Sequence, residues 1–166
     1  MITKGVFAIY FRNFIFGVED SLASTVGLLS GIAIADVDRR TILVTGLVLI
    51  FVEAFSMAIG SFLSEQFAED YIKQGEVPIR HALIGSVIMF ASYLIAGLMP
   101  IWPYAFLDGN LAFWVSIGGS LLGLFLVGLL SGKISNTKLF NSSLRMMLIG
   151  GMAVLVGVIV GQIANH

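Results

Sequence analysis

The stretches that decide the fold are GVEDSLASTVGLLSG, residues 17–31, and FVEAFSMAIGSFLSE, residues 51–65. Both belong to apolar segments long enough for membrane helices, yet the first contains Asp20 and the second contains Glu53. A carboxylate in the hydrocarbon region of a membrane is costly, and it is usually retained for a function. These two segments therefore carry most of what the sequence indicates about function.

The composition excludes a soluble globular domain. The chain of 166 residues is 58% hydrophobic and 11% charged, with a mean hydropathy of +1.00, whereas soluble domains carry about 25% charged residues. The net charge of −1 provides no basic surface for nucleic acid. Cysteine is absent, which excludes disulfides, thiolate metal ligands and cysteine nucleophiles.

Five apolar stretches are close to the roughly 20 residues that a membrane helix needs. They predict an all-α membrane protein, a single transmembrane domain over residues 1–166 with helices at about 13–35, 41–63, 82–99, 111–131 and 146–164. Pro100 and Pro103 are expected to end the third helix, because proline cannot donate a backbone hydrogen bond. The longest connection, residues 64–81, is still short, and it is acidic.

The basic residues predict the orientation, since lysine and arginine favour the cytoplasmic side of a membrane. With a cytoplasmic amino terminus, seven basic residues lie inside, namely Lys4, Arg12, Lys73, Arg80, Lys133, Lys138 and Arg145. Arg39 and Arg40 lie outside, where Asp36 and Asp38 neutralise them. Five spans then place the carboxyl terminus outside, and we expect a multi-pass protein of a prokaryotic cell membrane.

Glycine recurs at four-residue spacing in three of the predicted helices. The pairs are Gly27 and Gly31, Gly119 and Gly123, and Gly157 and Gly161. This spacing allows the backbones of membrane helices to approach closely. We interpret all three pairs as packing sites.

The two acids lie on helix faces that suit a buried site. Residues three, four and seven apart share one face of a helix. The other residues on the face of Asp20 are small, namely Ser24, Gly27 and Gly31. The face of Glu53 includes Met57 and Gly60. At 1.5 Å per residue, Asp20 and Met57 lie about 10 Å from the cytoplasmic end and Glu53 about 6 Å deeper, which predicts a ladder of ligands.

These residue types favour a transition metal. Carboxylates bind many divalent cations, and a thioether adds affinity for late transition metals rather than for Mg²⁺ or Ca²⁺. Asp20, Glu53 and Met57 together therefore suit Fe²⁺ or Mn²⁺. Buried carboxylates also bind protons, because desolvation favours the neutral form, so metal and protons compete for the same oxygens. Glu19 lies about 100° away from Asp20 around the helix, and we expect it near the lipid headgroups or paired with Arg12.

Three segments resemble one known family of membrane proteins. The segments GVEDSL (17–22), EAFSMAIGSFLSE (53–65) and GLMPIWPY (97–104) are similar to the vacuolar iron transporter family. The resemblance implies five transmembrane helices, a homodimer, and exchange of Fe²⁺ or Mn²⁺ for protons. It matches the helix-1 acid of the family to Asp20 and the helix-2 methionine to Met57. The helix-2 glutamate of the family lies further from the methionine than Glu53 does.

The sequence departs from that family in two places. The acid in helix 1 is often followed by glycine, but here it is followed by Ser21. Many members also carry a large cytoplasmic domain, rich in glutamate and methionine, between helices 2 and 3, and only residues 64–81 remain here. Within them Glu65 and Glu69 lie one helical turn apart, with Glu76 two turns further on. These acids form either a residual metal-loading site or a solvated charged face.

Three classes of function compete. The leading hypothesis is a proton-coupled antiporter that moves Fe²⁺ or Mn²⁺ out of the cytoplasm, with the metal as cargo, no resident cofactor and a second copy of the chain as partner. The alternative is a metal-binding or structural membrane protein that does not transport. An enzyme is not expected, because the chain has no HExxH spacing and its only internal histidine, His81, is isolated.

Overall fold

The structure is a computed structural model that describes residues 4–75 and 78–165. It contains five helices: α1 (Lys4–Ile34), α2 (Arg39–Lys73), α3 (Arg80–Phe106), α4 (Gly109–Ile134) and α5 (Leu139–Ala164). All five are long and apolar enough to cross a membrane. No strand occurs in these two ranges. The predicted all-α, five-helix architecture is confirmed.

Helix α1 is the centre of the bundle. It contacts each of the other four helices, and α2, α3, α4 and α5 follow one another around it. Leu22, Val26 and Leu29 of α1 are almost fully buried by this arrangement. Helices α2 and α5 do not contact one another in the part of the chain that the structure describes. One side of α1 is therefore uncovered between them.

The helices alternate in direction. Asn13 and Leu29 of α1 contact Ser61 and Gly46 of α2 respectively, which requires antiparallel helices. Asn13 also contacts Gly85 of α3, eight residues before the α3 residue that meets Ser21, which requires parallel helices. The first described residues of α1 and the last described residues of α5 thus lie at opposite ends of the bundle. We call the end where α1 begins the N-terminal end, and its cytoplasmic location stays a prediction.

Glycines bring α1 and α5 into backbone contact. An added Cβ at Gly157 would overlap the carbonyl oxygen of Gly27, and one at Gly161 would overlap that of Gly31. Conversely, a Cβ at Gly31 would lie 2.6 Å from the Gly157 oxygen. Small residues permit this approach in lipid, where close packing is a main source of helix association. The packing role predicted for these two pairs is therefore confirmed.

Helix α3 continues through both of its prolines, so the prediction that Pro100 and Pro103 end it is wrong. Each proline removes only one helical hydrogen bond, a loss that neighbouring helices can compensate in membrane proteins. Ser116 of α4 donates to the carbonyl oxygen of Pro100 at 2.7 Å. Arg39 binds the end of α3 by donating to the Tyr104 carbonyl oxygen at 2.6 Å. The helix therefore ends at Phe106.

Helix α2 also extends further than predicted, through most of the expected 64–81 connection. It ends at Lys73, where Gln74 adopts the left-handed conformation (φ 53°) and donates its backbone N–H to the Asp70 carbonyl oxygen. The acidic residues Glu65 and Glu69 consequently lie on a helix that packs against the bundle.

Candidate metal site

Asp20 of α1 lies beside the acid-bearing part of α2. The antiparallel register set by the Leu29–Gly46 and Asn13–Ser61 contacts brings Asp20 level with the turn of α2 between Glu53 and Met57. The sequence had predicted Asp20 opposite Met57, with Glu53 deeper. We call the contact between these helices at Asp20, Glu53 and Met57 the polar seam.

The carboxyl groups of Asp20 and Glu53 are close enough for their charges to interact. Both residues are partly buried, and both also interact electrostatically with the phenol of Tyr93 on α3. The structure therefore brings the two predicted acids together. A divalent cation between them would neutralise two charges that otherwise repel one another.

Tyr93 is a member of this site that the sequence did not reveal. Its side chain is fully buried, and its hydroxyl is hydrogen-bonded to Ser24 at 2.8 Å. Ser21 donates to its backbone oxygen at 2.6 Å, which ties α3 to α1 next to Asp20. A lone tyrosine within an apolar helix is typical of a core residue, so no local signal distinguishes it.

Met57 lines a cavity of about 830 Å³ that extends from the polar seam toward the N-terminal end. Polar groups from both helices line it, namely Arg12, Asn13 and Glu19 of α1 with Ser56, Ser61 and Ser64 of α2. Asp20 instead lines a smaller crevice of about 250 Å³ beside Ile149 of α5. The thioether and the helix-1 acid thus face different spaces.

Glu19 does not pair with Arg12 as expected. Arg12 donates to the carboxylate of Glu65 at 2.5 Å instead. The physical reason is the extension of α2, whose additional turns carry Glu65 to the level of Arg12. Glu19 is partly buried and lines both the cavity and the crevice.

The two predicted loading residues each have a basic partner. The Glu65 side chain is only 10% exposed in its ion pair with Arg12, and Glu69 lies 3.7 Å from Lys73 one turn further along α2. Glu76 lies outside the described residues. A loading role for these acids stays a prediction.

Within residues 4–75 and 78–165, no three His, Cys, Asp or Glu side chains come together as a metal cluster. Asp20 and Glu53 supply two carboxylates, and hard or intermediate divalent cations take about four to six ligands or more. The remaining ligands would come from Met57, hydroxyl groups, water or a second copy of the chain. Such a mixed, incompletely enclosed ligand set suits reversible binding.

The fold and the seam define an integral multi-pass membrane protein with ionisable groups inside its membrane-spanning part. The comparison with known families agrees. The model of the VIT family matches residues 11–83 and 74–162, which together cover most of the chain. The chain belongs to the VIT family, and the resemblance seen in the sequence is confirmed.

Individual relatives are distant but extensive in coverage. Vacuolar iron transporter 1 of Tulipa gesneriana is 23% identical over 202 aligned positions, covering 86% of this chain and 82% of the relative. Vacuolar iron transporter homolog 4 of Arabidopsis thaliana is 26% identical, with 89% and 80% covered. An uncharacterised protein of Methanocaldococcus jannaschii is also 26% identical, with 87% and 84% covered.

The relatives also differ from this chain in length. The tulip alignment spans 202 positions although this chain has 166 residues, so that relative has residues without a counterpart here. The tulip relative is therefore longer than this chain. The family model matches in two segments, which overlap at residues 74–83. This overlap includes the connection between α2 and α3.

Proposed function

We propose that the protein transports a divalent transition metal, Fe²⁺ or Mn²⁺, across a membrane in exchange for protons. The observation that carries this proposal is the pair of interacting carboxyl groups, Asp20 and Glu53, inside membrane-spanning helices. Membership of the VIT family and relatives named vacuolar iron transporters support metal as the cargo. The Met57 thioether beside the pair favours a transition metal over Mg²⁺ or Ca²⁺.

The exchange follows from charge balance at the pair. Two carboxylates at this depth need compensation, because an uncompensated charge is costly in a low-dielectric environment. One divalent cation provides it, and two protons provide it equally well. Binding of metal therefore releases protons, and binding of protons releases metal, which is the chemistry of an antiporter.

The proposed direction is out of the cytoplasm. The distribution of basic residues favours a cytoplasmic N-terminal end, and the cavity lined by Met57 extends toward that end. Metal would enter this cavity, reach Asp20 and Glu53, and leave on the other side. A prokaryotic cell membrane is the proposed location, which the archaeal relative supports.

A homodimer would complete the site. The side of α1 between α2 and α5 is uncovered, and the crevice that holds Asp20 lies on the α5 side of α1. A second copy placed there would supply further ligands to a site that has two paired acids in one chain. Light scattering in detergent should give twice the 17.8 kDa chain mass, and a fully active monomer would contradict the dimer.

Transport by reconstituted protein tests the proposal. Proteoliposomes containing a metal-quenched dye should show Mn²⁺ and Fe²⁺ uptake by the wild-type protein. Asp20→Asn and Glu53→Gln preserve side-chain size and should each reduce the rate at least about 100-fold. Asp36→Asn, in the turn at the opposite end of the bundle, is the matched control. Asparagine tolerates the positive φ of 57° found there, so this variant should transport normally.

Two outcomes would end the proposal. Wild-type flux in both Asp20→Asn and Glu53→Gln would exclude the acid pair as the site. Saturable metal binding by the wild-type protein without any flux would instead support a non-transporting metal-binding protein. Proton coupling is measured separately with a pH-sensitive dye inside the vesicles, where inward metal flux should drive protons outward.

A further inference from the structure

Glu19 lies between the cavity lined by Met57 and the crevice lined by Asp20. It lines the 830 Å³ cavity together with Met57 and also lines the 250 Å³ crevice together with Asp20. Among the residues that the structure describes, Phe16, one turn earlier on α1, is the only other one that lines both. Of the acidic side chains in the described ranges that line these spaces, Glu19 is therefore the one that borders both.

The charges around Glu19 leave its carboxylate available to bind a cation. Arg12, the basic residue that the sequence offered as its partner, is engaged by Glu65. Glu19 interacts electrostatically with Asp20 on its own helix and with Arg145 of α5. Arg145 lies one turn before Ile149, which lines the crevice. The positive charge therefore comes from α5, whereas the cavity that Glu19 also lines is bordered mainly by α1 and α2.

The cavity is polar enough to admit a hydrated ion. The Asn13 side chain that lines it is only 2% exposed. Its Oδ1 accepts a hydrogen bond from Ser61 at 2.7 Å, whereas its Nδ2 has no hydrogen-bond partner in the described part of the chain. Buried donors of this kind are normally satisfied by water, and a cavity of 830 Å³ has ample room for it. A cation can therefore reach Glu19 with part of its hydration shell.

We propose that Glu19 is a transfer ligand that takes the divalent cation from the Met57-lined cavity and delivers it to Asp20. This inference rests on the proposed function and adds a residue to it. The glutamate side chain, one methylene longer than aspartate, changes between two rotamers, one toward the cavity and one toward the crevice. Such rotamer changes are much faster than transport. Arg145 stabilises the carboxylate on the crevice side when no cation is bound there.

Binding of Mn²⁺, followed by its electron paramagnetic resonance signal in detergent, provides a readout independent of transport. Glu19→Gln should weaken binding about tenfold, which corresponds to the loss of one charged ligand, and should lower Mn²⁺ flux by a similar factor. Arg145→Gln should strengthen Mn²⁺ binding about threefold, because a screened positive charge near Glu19 is removed. Asp36→Asn should match the wild-type protein in both measurements.

Glu19→Asp separates transfer from simple attraction. Aspartate keeps the charge but is one methylene shorter, so it should bind Mn²⁺ like the wild-type protein while its flux falls at least about fivefold. Full flux in Glu19→Asp would show that the charge alone matters and would overturn the transfer role.

The failures of the two proposals are distinguishable. Absence of flux in the wild-type protein would refute the proposed function itself. Wild-type flux and wild-type affinity in Glu19→Gln would refute only the role of Glu19, since the Asp20–Glu53 pair would then act without it. If Glu19→Gln does not fold, the Glu19→Asp and Arg145→Gln arms still decide the question.

Discussion

The two sides of α1 are built in opposite ways. Toward α5, Gly27 and Gly31 meet Gly157 and Gly161 backbone to backbone, and we call this contact the glycine seam. Toward α2, the polar seam contains Asp20, Glu53 and Met57, and a cavity lined by Met57 and by serine hydroxyl groups adjoins it. The glycine seam brings backbone against backbone among almost entirely apolar residues, whereas a cavity lined by polar groups adjoins the polar seam.

This difference indicates which helices can move. Helices in lipid gain little from the hydrophobic effect, so close packing and polar contacts hold them together. A shift of α5 against α1 would break a continuous backbone contact. A shift of α2 against α1 would lose a few polar contacts, while the extensive packing of α2 on α3 would remain. We therefore expect the α1–α2 contact, the least extensive contact that α1 makes, to open more readily than the contacts of α1 with α3 and α5.

The largest effect should come from filling the glycine seam. Gly157→Ala places a Cβ onto the Gly27 carbonyl oxygen, so the helices must separate, at a loss of about 3 kcal/mol or more of unfolding free energy. Thermal unfolding and gel filtration in detergent measure it. Gly151→Ala is the control on the same helix, because an added Cβ there has no atom within 4 Å. Equal stability of the two variants would refute the rigid glycine seam.

A smaller effect on stability, with a larger one on flux, should come from Tyr93→Phe. The change removes the hydroxyl bonded to Ser24, which costs about 1 kcal/mol of stability, and we expect Mn²⁺ flux to fall about tenfold. A double-mutant cycle with Ser24→Ala isolates the hydrogen bond. Additive losses in the cycle would show that the two hydroxyls act independently.

The ion pair at the N-terminal end of α1 and α2 tests how firmly α2 is held there. Arg12→Gln leaves the buried Glu65 carboxylate without its partner. Because Arg12 is 60% exposed, solvent screening limits the expected loss to about 1 kcal/mol. The double variant Arg12→Gln/Glu65→Gln should recover most of that stability in thermal unfolding. A double variant no more stable than Arg12→Gln would mean that the pair itself is not the cause.

The smallest effect concerns the start of α2. Hydrogen bonds from the Thr41 side chain and backbone N–H hold the pKa of Asp38 below its ordinary value of 3.8. A lowered folded-state pKa means that this stabilisation is complete above the ordinary value and is lost as the pH falls through the folded value. Asp38→Ala should therefore differ from the wild-type protein in thermal midpoint near neutral pH but not at about pH 2.

Asp38→Asn is the matched control for that titration. Asparagine caps a helix about as well as aspartate but does not ionise. Its thermal midpoint should follow that of the wild-type protein at neutral pH and stay above that of Asp38→Ala in acid. A parallel acid loss in Asp38→Asn would assign the pH dependence to another group.

Much of this architecture was accessible from local sequence patterns. Five apolar segments predict five helices, because hydropathy and length are local properties. Helical periodicity brought Glu53 and Met57 to one face and identified Asp20 as their counterpart. The glycine pairs of α1 and α5 were recognised as packing sites by their spacing alone. These predictions needed no knowledge of which helix lies beside which.

Neighbouring helices decided the rest. The end of α3 is bound from outside the helix, since Ser116 donates to the Pro100 carbonyl oxygen and Arg39 donates to the Tyr104 carbonyl oxygen. The partner of Arg12 depends on how far α2 extends along α1. Tyr93 reaches the acids only because α3 runs parallel to α1 at the right register. None of these contacts can be predicted from the periodicity of a single segment.

By itself the sequence determined that this protein is a five-helix membrane protein with two costly acids, because the transfer free energy of each segment depends on its own residues. Only the tertiary structure decided that the two acids interact electrostatically with one another and with Tyr93, and that Glu19 borders both the Met57 cavity and the Asp20 crevice. The physical reason is that a pairwise interaction depends on distance and register between helices. Those quantities follow from packing around α1, which contacts α5 through glycines on one side and α2 through polar groups on the other.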